Sequence, residues 1–297
     1  MSIIQILLES DPSVRRMTQK YLLGTEEAYV SEGWIGQFNA LFDPSTHRWG
    51  GGIYGPKWIS TFYTLRDLMS LEVNPKATEY QAGMETLIHN IWNKGHSVKR
   101  DVCVVAMLIS MICYGDGDGH IVDEMMDYLI SKQLSDGGWN CSSGSNVSSV
   151  HTTLSVLEAY RDYQHYGYKS HLEVIQMQSS EGRELLLRKH LMRRETTNEL
   201  LFNQIDTPHF PFRWKYDFLR ALFYFTTIKY PYEVRLEEAL ALLKEKMKKG
   251  YLGKGTTYSG LLHFKMETGK IGAMNTLNAL RVLKFYAHEY YEAVIKE

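Results

Sequence analysis

Five stretches of this chain repeat one design, a polar or small residue in the first turn of a helix whose body is apolar. They are Trp58–Leu65, Arg100–Met107, Val150–Leu157, Trp214–Ala221 and Met274–Leu277, with Thr61, Cys103, Thr153, Asp217 and Thr276 at the matched place. Successive matched residues lie 42, 50, 64 and 59 positions apart, room each time for one more helix and two loops. A unit of that size cannot bury its own apolar face and must stack on its neighbours.

The rest of the chain also reads as helix. Asp11 and Pro12 cap and open a segment to about Leu23, and a second segment over 26–42 is interrupted by Gly33 and Gly36. Pro56 starts another helix after the glycines at 50–52. Apolar spacing predicts helices near 57–72, 77–93, 101–113, 121–133, 149–163, 171–193, 214–229, 233–248 and 274–290. No run alternates as a strand does, and Asp136-Gly137 lies between helices instead of between strands. No Pro- or Ser-rich linker divides the chain, so residues 1–297 are read as a single all-α domain.

Composition narrows the function classes. The formal net charge is −1, which gives no global field toward nucleic acid. Three cysteines, Cys103, Cys113 and Cys141, form no disulfide framework and suggest a reducing, cytoplasmic setting. The apolar run within Met1–Ser10 lacks a basic flank and is too short for a signal peptide, and no segment reaches the length of a membrane span.

The connector Gln133-Leu-Ser-Asp-Gly-Gly-Trp-Asn-Cys141 is the most distinctive segment, with a looser copy at His47–Tyr54 and a degenerate one at Lys249–Gly253. A helix ending in Gln, an Asp-Gly-Gly turn and then Trp resembles the repeat of protein prenyltransferase β subunits and squalene-type terpene cyclases. That resemblance spans most of the chain. It implies an α/α toroid, a closed double ring of about 11–12 helices in which inner helices line a cavity and outer helices surround them. It also implies that Trp139 packs in the connector and not in the cavity.

By the same resemblance, Asp101-Val-Cys103 and the His-Thr start at His151 match positions that hold a catalytic zinc in the prenyltransferases. Carboxylate, thiolate and imidazole suit Zn²⁺, and three protein ligands leave one position for substrate. Cys141 is the candidate for a fourth ligand, which would make the site closed and structural. The alternative for these residues is an N-cap Asp, a small buried thiol and a hydrogen-bonded His. Asp116-Gly-Asp118-Gly119 invites comparison with the acid motif of the cyclases, but Gly119 departs from it and the segment reads better as a turn.

The start of another inner helix places Trp214, Tyr216 and the candidate catalytic Asp217 toward the cavity, where with Tyr63 they could form an aromatic wall. Ordinary core packing is the rival reading. Arg183, Arg188 and His190 could hold a diphosphate through charge-assisted bonds, or form a solvated helix face.

Three readings follow. The first is a prenyltransferase-like enzyme acting on an apolar or isoprenoid substrate, with zinc activating a thiol or water. The second is a small terpene cyclase using acid chemistry without zinc. The third is a non-catalytic toroid that binds a ligand or partner and holds a structural metal. No partner subunit is evident from the sequence.

Overall fold

The computed structural model describes residues 1–93, 101–142, 144–255 and 259–296. Thirteen α-helices are present among them: α1 Ile3–Leu8, α2 Pro12–Thr18, α3 Gly33–Ala40, α4 Thr61–Ser70, α5 Thr78–Leu87, α6 Val102–Tyr114, α7 Gly119–Ile130, α8 Val150–His165, α9 Leu172–Arg188, α10 Phe218–Thr227, α11 Glu237–Lys246, α12 Ala273–Tyr286 and α13 His288–Lys296. Wider π-helical turns extend α2 through Gln19–Leu23 and α5 through Ile88–Asn93. No strand forms among the described residues, where the only extended pairing is three isolated bridges. No helix of the described residues is long and apolar enough to cross a membrane.

The all-helical expectation holds, with two differences in detail. The first apolar run is itself a helix, capped by the Ser2 hydroxyl, which accepts from the Gln5 N–H. The expected helix over 274–290 divides at Ala287 into α12 and α13.

Even- and odd-numbered helices differ in burial. In α4 every residue from Thr61 to Leu68 is buried, and α6 is buried continuously from Val104 to Cys113. Helix α12 is buried from Ala273 to Leu280. A helix apolar around its whole circumference must be covered on all sides. The odd-numbered helices bury only a stripe, such as Val122, Met125, Met126 and Leu129 of α7 or Tyr80, Gly83, Met84 and Leu87 of α5. The contacts follow the same division. Helix α4 packs on α6, α6 on α8, α10 on α12 and α12 on α2, while α5, α7, α9, α11 and α13 each pack on the even-numbered helix before them. Side chains join the remaining neighbours. Arg220 of α10 bonds Glu158 of α8, and Arg16 of α2 donates to the carbonyl of Leu71 at the end of α4.

The repeated connector has one physical task. Trp139 is fully buried between α7 and α8, as the sequence predicted. Its indole N–H donates to the Leu129 carbonyl of α7 at 2.9 Å, and its backbone N–H to Thr153 Oγ1 of α8 at 3.0 Å. Trp49 repeats this, donating to the Phe38 carbonyl of α3 and, through its backbone N–H, to Thr61 Oγ1 of α4. In the degenerate copy the Leu252 N–H donates to Thr276 Oγ1 of α12 at 3.0 Å. The matched threonines are therefore connector anchors. Gly137 has φ +94°, and a Cβ on Gly138 would stand 2.5 Å from Ser148 Oγ and 2.6 Å from Thr153 Oγ1. The Gly-Gly pair is required by the turn and by this close approach.

Candidate functional site

At the first turns of α6 and α8, two predicted ligands meet and a third turns away. The Cys103 backbone N–H donates to Cys141 Sγ at 3.0 Å, and the Thr152 hydroxyl donates to the same sulfur at 3.3 Å. The Cys103 thiol adds a third donor, so the Cys141 thiol is lowered to about 7 by these bonds against the opposing effect of burial. Cys103 moves the opposite way, raised by the shared bond to Cys141 and by burial.

His151 is committed elsewhere. Its Nδ1 accepts from the Tyr216 backbone N–H at 2.8 Å, and its ring packs edge-on to Trp214 at 5.4 Å. Burial, with Arg220 and Lys215 nearby, depresses it to about 4, so the ring is neutral at pH 7. Asp101 is the N-cap residue of α6, although its side chain makes no capping bond. Among the described residues no three His, Cys, Asp or Glu side chains are gathered so as to hold a metal ion. Of Asp101, Cys103, Cys141 and His151, the two cysteines converge, and His151 Nδ1 serves the backbone of the next connector.

Asp217, the candidate catalytic acid, caps α10. Its Oδ1 accepts from the Arg220 N–H at 2.9 Å and its Oδ2 from the His209 N–H at 3.3 Å. Tyr216 is buried, with its hydroxyl on the Leu191 carbonyl, and Tyr63 is buried against Trp58 and Tyr54. Neither tyrosine, nor Trp214 nor Asp217, lines the cavities described below. The basic cluster at the end of α9 disperses. Arg188 pairs with Glu195 at 3.2 Å, His190 lies exposed in a turn, and only Arg183 reaches a groove, one of about 620 Å³ beside Tyr224 and Tyr230.

A different set of residues surrounds a cavity of about 820 Å³ to which all six even-numbered helices contribute. Its walls carry Arg16 of α2, Arg66 and Asp67 of α4, Tyr114 of α6, Glu158, Arg161 and Asp162 of α8, Phe223 of α10 and Arg281 of α12. Most of these charges are satisfied by one another. Glu158 accepts from Arg220 through both oxygens, at 3.0 and 2.6 Å, and from Arg66 at 3.0 Å. Burial raises the Glu158 carboxyl, but the two guanidiniums outweigh it and hold the group at about 2. Arg161 pairs with Asp162 at 2.7 Å and donates to the Thr227 hydroxyl.

Asp67 is the exception. It is 2% exposed, its Oδ2 lies 3.3 Å from Arg213 Nη2, and its Oδ1 has no hydrogen-bond partner. Burial raises it to about 6 despite Arg213 and Arg66. The residue borders both the 820 Å³ cavity and a second one of about 470 Å³, with Phe210, Pro211 and Arg213 between them. Arg213 stacks over Trp58, 4.7 Å from the ring centre, which holds it against the carboxyl.

None of these helical residues stands in the first turn of its helix, where the repeated pattern points. Arg66-Asp67 in the middle of an apolar helix, and Glu158 to Asp162 late in another, were the available signal. A charge in a helix that must be covered on all sides has to be paired or functional. Comparison with protein-family models, curated proteins and solved structures gave no match in any of the three.

Proposed function

We propose that this chain is an α/α toroid that performs acid chemistry on a small molecule in its central cavity, with Asp67 as the proton donor. Support for the ring comes from the sequence of neighbours α2, α4, α6, α8, α10 and α12, each in contact with or bonded to the next, and from their joint lining of one cavity. The observation that carries the chemistry is Asp67 Oδ1, a buried carboxyl oxygen without a partner at the border of two cavities. A carboxyl raised to about 6 keeps a useful fraction of its proton near neutral pH and gives it up readily.

In this reading Asp67 transfers its proton to an unsaturated carbon of the substrate. The electron pair of the double bond forms the new C–H bond, and the adjacent carbon becomes cationic until a neighbouring C–H bond gives up its proton to water and re-forms a double bond. The carboxylate left behind is stabilised by Arg213 at 3.3 Å. Phe210 and Phe212 line the cavities that Asp67 borders and offer aromatic surface to the cation. The charged walls favour a substrate with an anionic group over a bare hydrocarbon.

The test uses D₂O. The protein is incubated with a panel of unsaturated compounds, isoprenoid diphosphates and isoprenoid acids among them, and products are read by mass spectrometry. Incorporation of one deuterium at carbon, lost in Asp67→Asn while the helical circular dichroism is kept, is the expected result. Undiminished incorporation in Asp67→Asn, or none across the panel, would sink the reading.

A further inference from the structure

The charges around the 820 Å³ cavity do not balance. Six cationic side chains, Arg16, Lys20, Arg66, Arg161, Arg213 and Arg281, face four carboxylates, Asp67, Glu72, Glu158 and Asp162. Each carboxylate already has its partner. Glu72 takes Lys20 at 2.9 Å and the Tyr21 hydroxyl, Asp162 takes Arg161, Asp67 takes Arg213, and Glu158 is shared by Arg66 and Arg220. Two guanidiniums remain without a carboxylate among the described residues, those of Arg16 and Arg281.

Arg16 is buried and Arg281 half-buried, both near Tyr21 and Glu72. Arg16 is 9% exposed, and its Nη2 donates to the Leu71 carbonyl at 3.0 Å and the Glu72 carbonyl at 2.6 Å. Its Nη1 is buried and has no acceptor. Arg281 lies over the Tyr21 ring at 3.6 Å and the Phe223 ring at 4.5 Å, so its flat face is covered; one N–H donates to the Tyr21 hydroxyl, and the rest of the edge is left for a ligand. A guanidinium without a carboxylate in a buried or half-buried setting is costly, and two on one cavity call for an anion to complete them.

We infer that the cavity binds a small organic dianion between Arg16 and Arg281, a phosphate ester or a dicarboxylate, with its carbon skeleton against the surrounding aromatic rings. This names the substrate class of the acid chemistry proposed above and rests on that reading of the cavity as a substrate site. The charge follows from the excess of two cations. The skeleton follows from Tyr21, Tyr29, Tyr114, Tyr166 and Phe223, which line the same space. Asp67 borders the same cavity, so the anionic end and the proton donor act on one molecule from different walls.

The experiment is isothermal titration of the full-length protein with inorganic phosphate and, separately, with succinate. Saturable binding of either supports the site, phosphate alone indicating a phosphate ester and succinate alone a dicarboxylate. Arg16→Met and Arg281→Met should each weaken binding roughly 10- to 100-fold, the loss of one charge-assisted bond. Arg281→Lys, which keeps the charge and guards against a folding defect, should weaken it less than Arg281→Met. Arg235→Gln, at an exterior ion pair with Glu184 and Glu233, serves as the unaffected control. Failure of both probes to bind, or undiminished binding in both methionine variants, overturns the inference. Equilibrium binding in Asp67→Asn is read separately, so an anion site without proton transfer is distinguishable from neither being present.

Discussion

Thr61, Thr153 and Thr276, in the first turns of α4, α8 and α12, hold the backbone of the connector that precedes each helix. Farther along the same helices stand Arg66 and Asp67, Glu158 to Asp162, and Arg281, which face a cavity instead of a connector. Polar groups of the first region are short and fully bonded to backbone, and they fix the entry of each helix. Those of the second are long and charged, are paired with one another across helices, and leave a carboxyl oxygen without a hydrogen bond and two guanidiniums without a carboxylate. A helix that starts in a structural turn and continues past a charged cavity separates, along its own axis, the residues that fix the fold from those that line the cavity.

That contrast can be broken most severely at the charged region. Glu158→Ala would strand Arg66 and Arg220 in the interior, and removal of one partner from a buried ion pair costs about 3–5 kcal/mol. Chemical denaturation of the variant should show a loss of that size, and a loss below about 1 kcal/mol would mean that water reaches the pair. Trp139→Ala probes the structural region with a comparable effect. It removes a fully buried indole bonded to Leu129, at about 3–5 kcal/mol, and should leave anion binding intact if the protein still folds.

The pH dependence sharpens the comparison because the two regions titrate in opposite senses. Asp67 is raised from 3.8 to about 6, so the folded state binds its proton more tightly than the unfolded chain does. Its contribution is present at low pH and is lost as pH rises through that window, by about 3 kcal/mol at most. His151 is depressed from 6.5 to about 4, so its contribution is present above pH 6.5 and is lost as pH falls toward 4. Urea midpoints followed from pH 3.5 to 7 should climb more with pH in Asp67→Asn than in the parent. In His151→Gln they should climb less. The reverse order would place the titrating groups elsewhere. The smallest effect is Thr153→Val, which leaves the buried Trp139 N–H without an acceptor, at about 1–3 kcal/mol. A neutral result there would reduce the matched threonines to coincidence.

The order and type of the helices were legible in the sequence because they depend on short-range properties. Polar first turns, apolar bodies and the spacing between them place each helix locally, and Asp136-Gly137-Gly138-Trp139 marks a connector by its own backbone demands. Cys103 and Cys141 were likewise singled out together, and they meet at 3.0 Å from nitrogen to sulfur. His151 was not separable from them in the sequence, since a histidine in a first turn reads the same whether its ring faces a thiol or the next connector. Only the packing of Tyr216 against it decided that. The cavity was illegible for a related reason. Arg16, Asp67, Glu158 and Arg281 come from four helices spread over most of the chain, and no spacing rule connects them. Their pairing, and which of them are left unpaired, is a balance of burial against long-range charge that exists only once the helices are packed.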